Sequence, residues 1–132
     1  MIDLESFKKG IDRLASIAIA EKSFYEFFKQ AWPTMEGSTP FIDGWHIKAV
    51  ADHLQAAFER KIKKLLINVP PRSSKTSVCS IAFPAWVWSK NPSEQFIYAS
   101  YSGALSMERS VKCRRLIESD FYQSRWGHVF QL

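Results

Sequence analysis

Cysteine and histidine are scarce in this chain. Two cysteines, Cys79 and Cys113, and three histidines among 132 residues show no metal-ligand spacing, which sets aside a disulfide framework and a zinc site. Both thiols are expected to be reduced and intracellular, with a single Cys79–Cys113 bridge as the alternative. Long hydrophobic runs are missing too. The longest near the start, Leu14 to Ala20, is seven residues bracketed by Arg13 and Glu21. A membrane span needs roughly 20. The opening Met1-Ile2-Asp3-Leu4-Glu5 is acidic where a secretory leader is basic. There are no repeats and no low-complexity segment. No histidine has a recognisable serine or cysteine partner, so nothing resembles a nucleophile–histidine hydrolase.

What is present is globular. A hydrophobic share of 46% with 23% charged residues suits one domain with a real core, and five Trp with ten Phe make that core aromatic. The net charge of +5 is unevenly spread. From Arg60 to Arg115 eleven basic residues face only Glu94 and Glu108, a local +9, against −4 for the remainder. A region facing a polyanion and a merely solvated basic surface both fit that distribution.

Apolar spacing predicts a helix over residues 4 to 20, with a stripe of Leu4, Phe7, Ile11, Leu14 and Ile17. Ser23 with Glu26 three residues on forms a capping box for a second helix, which Pro33 is expected to end. Residues 33 to 44 read as a loop. A third helix runs from Trp45 to about Arg60. Lys64 to Val69 then reads as a buried strand, Thr76 to about Ser89 as a helix that Pro84 kinks or shortens, and Glu94 to Ser100 as a second strand. Ala104 to about Ser119 is helical again, and His128 to Leu132 has strand-like composition.

Strand, helix, strand, helix in that order predicts an α/β fold with a parallel sheet and right-handed crossovers. Two or three strands make a thin sheet, and the apolar terminus leads to the expectation that further sheet follows residue 132.

The chemistry is concentrated in Asn68-Val69-Pro70-Pro71-Arg72-Ser73-Ser74-Lys75-Thr76, between the expected strand and helix. That is the context of a phosphate-binding loop, where backbone N–H groups and a helix N-terminus converge on an anion. Lys75 supplies a compact cation for the outer phosphates, Thr76 a hydroxyl for Mg²⁺, and Arg72 a bidentate grip. The amides from Arg72 through Ser73 and Ser74 to Thr76 form the cradle. The glycines of the usual pattern are replaced by Val69 and Ser74. Serine with positive φ costs about 1 kcal/mol where glycine is nearly free. The alternative is a Lys-Thr pair that only decorates the surface.

Leu66 to Thr76, followed by Phe83-Pro84-Ala85-Trp86, Asn91-Pro92 and Ile97-Tyr98-Ala99-Ser100-Tyr101-Ser102, resembles the nucleotide-binding region of the large terminase subunits of tailed phages. Trp45-His46 upstream and Phe121-Tyr122 with Trp126-Gly127-His128 downstream extend the resemblance over residues 24 to 132. It implies a partial P-loop NTPase (ASCE-type) three-layer sandwich: a helical lead-in over 1–44 and an incomplete ATPase core over 45–132. It also implies ATP and Mg²⁺ as cofactors and double-stranded DNA as cargo. Its partners would be the phage portal, the small terminase subunit and further copies in a ring, in the cytoplasm of the bacterial host, with no membrane. Trp45 and His46 fall where the family borders the adenine; the other readings are a Trp45 packed in the core and an exposed or capping His46. Tyr101 and Ser102, with Arg109, Arg114 and Arg115, are candidates for DNA contact or coupling; a Ser102 helix cap and a solvated arginine face are the alternatives.

The acidic pair that organises Mg²⁺ in the family has no counterpart. No hydrophobic run here ends in Asp-Asp or Asp-Glu, and the nuclease carboxylates are absent as well. Weak nucleotide binding with little or no hydrolysis is therefore expected. The competing readings are a nucleic-acid-binding module that ignores ATP and an assembly fragment, or degenerate prophage remnant, without ATPase activity.

Overall fold

A computed structural model describes residues 3–129, and every regular element among them is helical. Helix α1 (Leu4–Lys22) opens on Asp3, whose carboxylate accepts the Glu5 N–H at 3.1 Å. α2 (Phe24–Glu36) follows after one residue. The Ser23 N–H donates back to Ile19 O at 3.0 Å, and Ser23 Oγ accepts the Glu26 N–H at 3.3 Å. Only half of the capping box closes, because the Glu26 carboxylate pairs with Lys29 at 3.0 Å instead. Pro33 does not end α2. It removes one bond near the C-terminus, while the Trp32 indole holds the last turn by donating to Thr39 O at 2.8 Å. Gly37, at φ 56°, is the residue on which the helix stops.

α3 (Trp45–Phe58) precedes a long non-helical stretch. Residues Ser77–Ala82 are π-helical and pass directly into α4 (Phe83–Lys90). Pro84 accounts for the change of register. Its ring displaces an ordinary helical bond, and the Phe83 N–H reaches five residues back to Val78 O. α5 (Gly103–Glu118) and α6 (Asp120–Trp126) complete the fold. α6 is too short to show a period in sequence; its cue is Ser119, whose Oγ accepts the Tyr122 N–H at 3.3 Å.

The expected α/β sandwich with a parallel sheet is therefore corrected. There is no strand among the described residues, and hence no sheet edge. Both strand candidates are non-helical, but neither pairs. From Leu65 to Pro70 side chains alternate between half-buried and exposed, with Leu66 84% exposed. Phe96 sets its ring edge-on to Phe83 at 5.9 Å and to Trp88 at 5.4 Å, and the Tyr98 hydroxyl donates to Cys79 O at 3.0 Å. Each segment is thus laid on helices through alternate side chains, and period-two alternation does not say whether a backbone finds a ladder partner. In the third candidate, His128 and Val129 form a turn and residues 130–132 lie outside the described residues.

The core is aromatic. Phe24, Phe27 and Phe28 of α2 are fully buried, with Trp86 of α4 and with Tyr122 and Trp126 of α6. Phe24 meets Trp86 at 5.4 Å and Phe27 meets Trp126 at 5.3 Å. The three most deeply buried rings with a polar end each have a partner: Trp86 Nε1 donates to Ala20 O at 2.9 Å, Tyr122 Oη to Ala85 O at 2.7 Å, and Trp126 Nε1 to Glu21 Oε1 at 3.1 Å. The N-terminal half of α1 is outside this core, with Leu4, Phe7, Ile11 and Leu14 all exposed.

Gln55 joins three helices through one amide. Its Oε1 accepts the Phe24 N–H at 2.9 Å, and its Nε2 donates to Lys22 O at 2.9 Å. Removal leaves a helix-start donor and a helix-end acceptor without their partner. Gln55→Ala is expected to lower unfolding free energy by about 1–3 kcal/mol in urea denaturation. Glu59→Gln, which alters only an exposed neighbour of Gln55, is expected to change it far less.

Candidate phosphate-binding loop

The loop after Pro71 has a strained backbone. Arg72 and Ser74 occupy the left-handed region at φ 63° and 60°, while Ser73 between them does not. Left-handed residues alternating with ordinary ones form the concave backbone that collects anions. Ser74, one of the two positions where the usual pattern carries glycine, thus has the conformation for which glycine is used; Val69, the other, does not have a positive φ. Ser73 Oγ ties the bend by donating to Pro70 O at 2.6 Å.

A helix starts on this bend. The first helical bond runs from the Val78 N–H to Ser74 O at 3.0 Å, and Thr76 is already helical at φ −64°, ψ −44°. Among the described residues, the N–H groups of Ser74, Lys75, Thr76 and Ser77 have no intramolecular acceptor. These are the free donors of a helix N-terminus. Arg72 and Lys75 are exposed and, among the described residues, form no ion pair; Ser73, Ser74 and Thr76 are half-buried.

Among the described residues, the carboxylate tied to the helix start is that of Glu36, which accepts from Ser77 Oγ at 3.0 Å. Sequence reasoning missed this contact because it joins residues 41 apart. One turn further on, burial pushes the Cys79 thiol up to about 11, against a smaller opposing pull from Lys75. Burial alone pushes Cys113 up to about 11. Both are free thiols, not a bridge.

The other site candidates do not gather here. Trp45 is 85% exposed, so the core-packed reading is corrected; its ring stands edge-on to His46 at 6.3 Å. The His46 imidazole lies over Gly44, where a Cβ would come within 2.6 Å of it. No hydrogen bond or ring contact joins Trp45 or His46 to residues 72–76. Tyr101 is 95% exposed. Ser102 occupies the cap position of α5, but its side chain makes no capping bond, which corrects that reading. Ser100 Oγ instead donates to Ser102 O at 2.7 Å and shares a hydrogen bond with Ser106 Oγ at 2.8 Å. Arg109 is half-buried, and Arg114 and Arg115 are exposed. Arg109 and Arg114 line a cavity that includes none of residues 72–76. No helix is long and apolar enough to cross a membrane among the described residues.

No protein-family model matches the chain, and searches of curated proteins and of solved structures return no match.

The left-handed backbone at Ser74 has a measurable cost. Ser74→Gly is expected to raise unfolding free energy by about 1 kcal/mol, because glycine adopts positive φ without a Cβ clash. Ser73→Gly, where φ is not positive, is expected to lower it, through the lost bond to Pro70 and a more flexible unfolded chain. Denaturant melts of the two variants beside wild type read the difference in sign.

Proposed function

We propose that this chain is the ATP-binding portion of a DNA-packaging motor of the large terminase type, with Arg72, Ser73, Ser74, Lys75 and Thr76 as the phosphate site. The observation that carries the reading is the run of four N–H groups on a doubly left-handed bend, beside two exposed cations, all without a partner among the described residues. A polyphosphate suits that set: the amides and helix end take oxygen lone pairs, Lys75 takes a point charge, and Arg72 takes two oxygens at once. This geometry is local to the loop and the helix start, and it requires no sheet.

Thr76 is the residue that would hold Mg²⁺ together with the triphosphate, and the ion would supply charge neutralisation there. Its half-buried hydroxyl lies on the first helical turn, one residue from the Ser77–Glu36 pair. The double-stranded DNA cargo, portal, small subunit and ring belong to the same proposal. They rest on the resemblance of residues 24 to 132. So do the adenine-side roles of Trp45 and His46 and the DNA or coupling roles of Tyr101, Ser102, Arg109, Arg114 and Arg115. Without an acidic pair the chain binds nucleotide and does not turn it over.

A second reading is favoured by the +9 charge from Arg60 to Arg115, with only Glu94 and Glu108 opposing it. Here the basic centre binds nucleic-acid phosphate and ignores ATP.

A fluorescent ATP analogue titrated into wild type is expected to bind saturably, and Lys75→Ala to weaken binding about tenfold, the loss of one strong charge-assisted contact. Equal affinity in both proteins, or no saturable binding, overturns the phosphate site. DNA binding that falls steeply with salt and does not respond to nucleotide selects the second reading. ATP hydrolysis above background that Lys75→Ala abolishes overturns the absence of turnover.

A further inference from the structure

A concavity of about 630 Å³ lies between α4 and its π-helical lead-in, the 96–99 segment and α5. That volume is in the range of small-molecule sites, which are apolar with a few placed polar groups. Pro84, Cys113 and Ile117 form apolar wall, and Trp88, Phe96 and Tyr98 add flat rings. Phe96 and Tyr98 lie nearly parallel, 6.0 Å apart at 11°. The polar ends of the aromatic lining are already used: Trp88 Nε1 donates to Glu94 O at 2.8 Å and the Tyr98 hydroxyl to Cys79 O at 3.0 Å. What these residues offer a ligand is ring face.

The remaining lining has one sign of charge. Arg109 and Arg114 line the cavity, no aspartate or glutamate does, and neither arginine has an ion pair among the described residues. Their neighbour Glu108 is engaged by Lys112 at 2.7 Å. On α5, Gly103, Ser106, Ser110, Cys113 and Ile117 make the stripe that faces the cavity. At about 100° per residue Arg109 and Arg114 fall about 140° apart, on opposite flanks of that stripe. A ligand lying along α5 is therefore bracketed by two guanidinium groups.

We propose that this cavity binds a small aromatic anion, a flat ring system carrying a carboxylate or a related acid group, with rings against Trp88, Phe96 and Tyr98 and the acid held by Arg109 and Arg114. Buried ring area supplies affinity, and the unpaired guanidinium groups select the acid over its neutral counterpart. The cavity shares no residue with the 72–76 loop, so the two sites stand or fall separately.

The probe is 2-naphthoate, titrated by calorimetry into the whole chain, with neutral 2-naphthamide in a parallel arm. Expected are one saturable site, naphthoate at least about tenfold tighter than the amide, and loss of that preference in the Arg109→Ala/Arg114→Ala double variant. Ser110→Trp, which fills the cavity from the exposed side of α5, is expected to abolish binding of both probes. A thermal melt matching wild type shows that each variant is folded; among the described residues the Arg109 and Arg114 side chains hold no hydrogen bond or ion pair, so the double variant is expected to pass. Lys75→Ala is expected to bind naphthoate as wild type does. Equal binding of acid and amide, an unchanged preference in the double variant, or undiminished binding to folded Ser110→Trp overturns the proposal.

Discussion

Burial of the α2 aromatic face is the constraint on which the other elements depend. Phe24, Phe27 and Phe28 have no exposed surface, and each is worth about 1.5–3 kcal/mol on burial, with about 0.5–1.5 kcal/mol more from each favourable ring pair. Those rings determine which helices come close. Trp86 brings α4 in, Tyr122 and Trp126 bring α6, and Phe58 at 5.3 Å from Trp86 completes the contact with α3. Indole and phenol groups at such positions need acceptors, and backbone carbonyls at Ala20 and Ala85 supply them. The polar ends thereby fix how α1, α4 and α6 approach, which apolar contact alone would leave free.

That packing also explains the irregular backbone near the loop. Trp86 and Val87 must face the core, while Pro84 cannot complete an ordinary helical bond. A π-helical stretch from Ser77 to Ala82 meets both demands by inserting extra backbone before the proline, and Val78, Ile81 and Ala82 stay buried. The helix start is held where the core and the Ser77–Glu36 bond put it. Arg72 and Ser74 then take left-handed conformations, at about 1–2 kcal/mol each, to connect an extended approach to a helix already in place.

Much of the helical layout was legible in the sequence. Ser23 marks the α1–α2 boundary, the apolar spacing of residues 45 to 58 marks α3, and the spans of α1 and α5 follow their periods. The aromatic core could be anticipated from ten Phe and five Trp. The two strand candidates were not legible as what they are. Leu65 to Val69 and Phe96 to Tyr98 alternate as strand residues do, yet Phe96 and Tyr98 are held by Phe83, Trp88 and Cys79 rather than by a neighbouring backbone. In the loop, the residue types and the cost of Ser74 were readable. The Glu36 contact and the exposure of Trp45 were not, since both depend on where distant helices lie.

The chain by itself determined where the longer helices lie, that Ser23 divides the first two, and which residue types make up the 72–76 loop. These are matters of local propensity, capping and charge, acting over a few residues. Tertiary structure alone decided that the apolar extended segments cover helices instead of pairing, and that Arg109 and Arg114 share a cavity with aromatic rings away from Lys75. A ladder or a pocket needs a partner distant in sequence, and burial of the α2 face is what selects that partner.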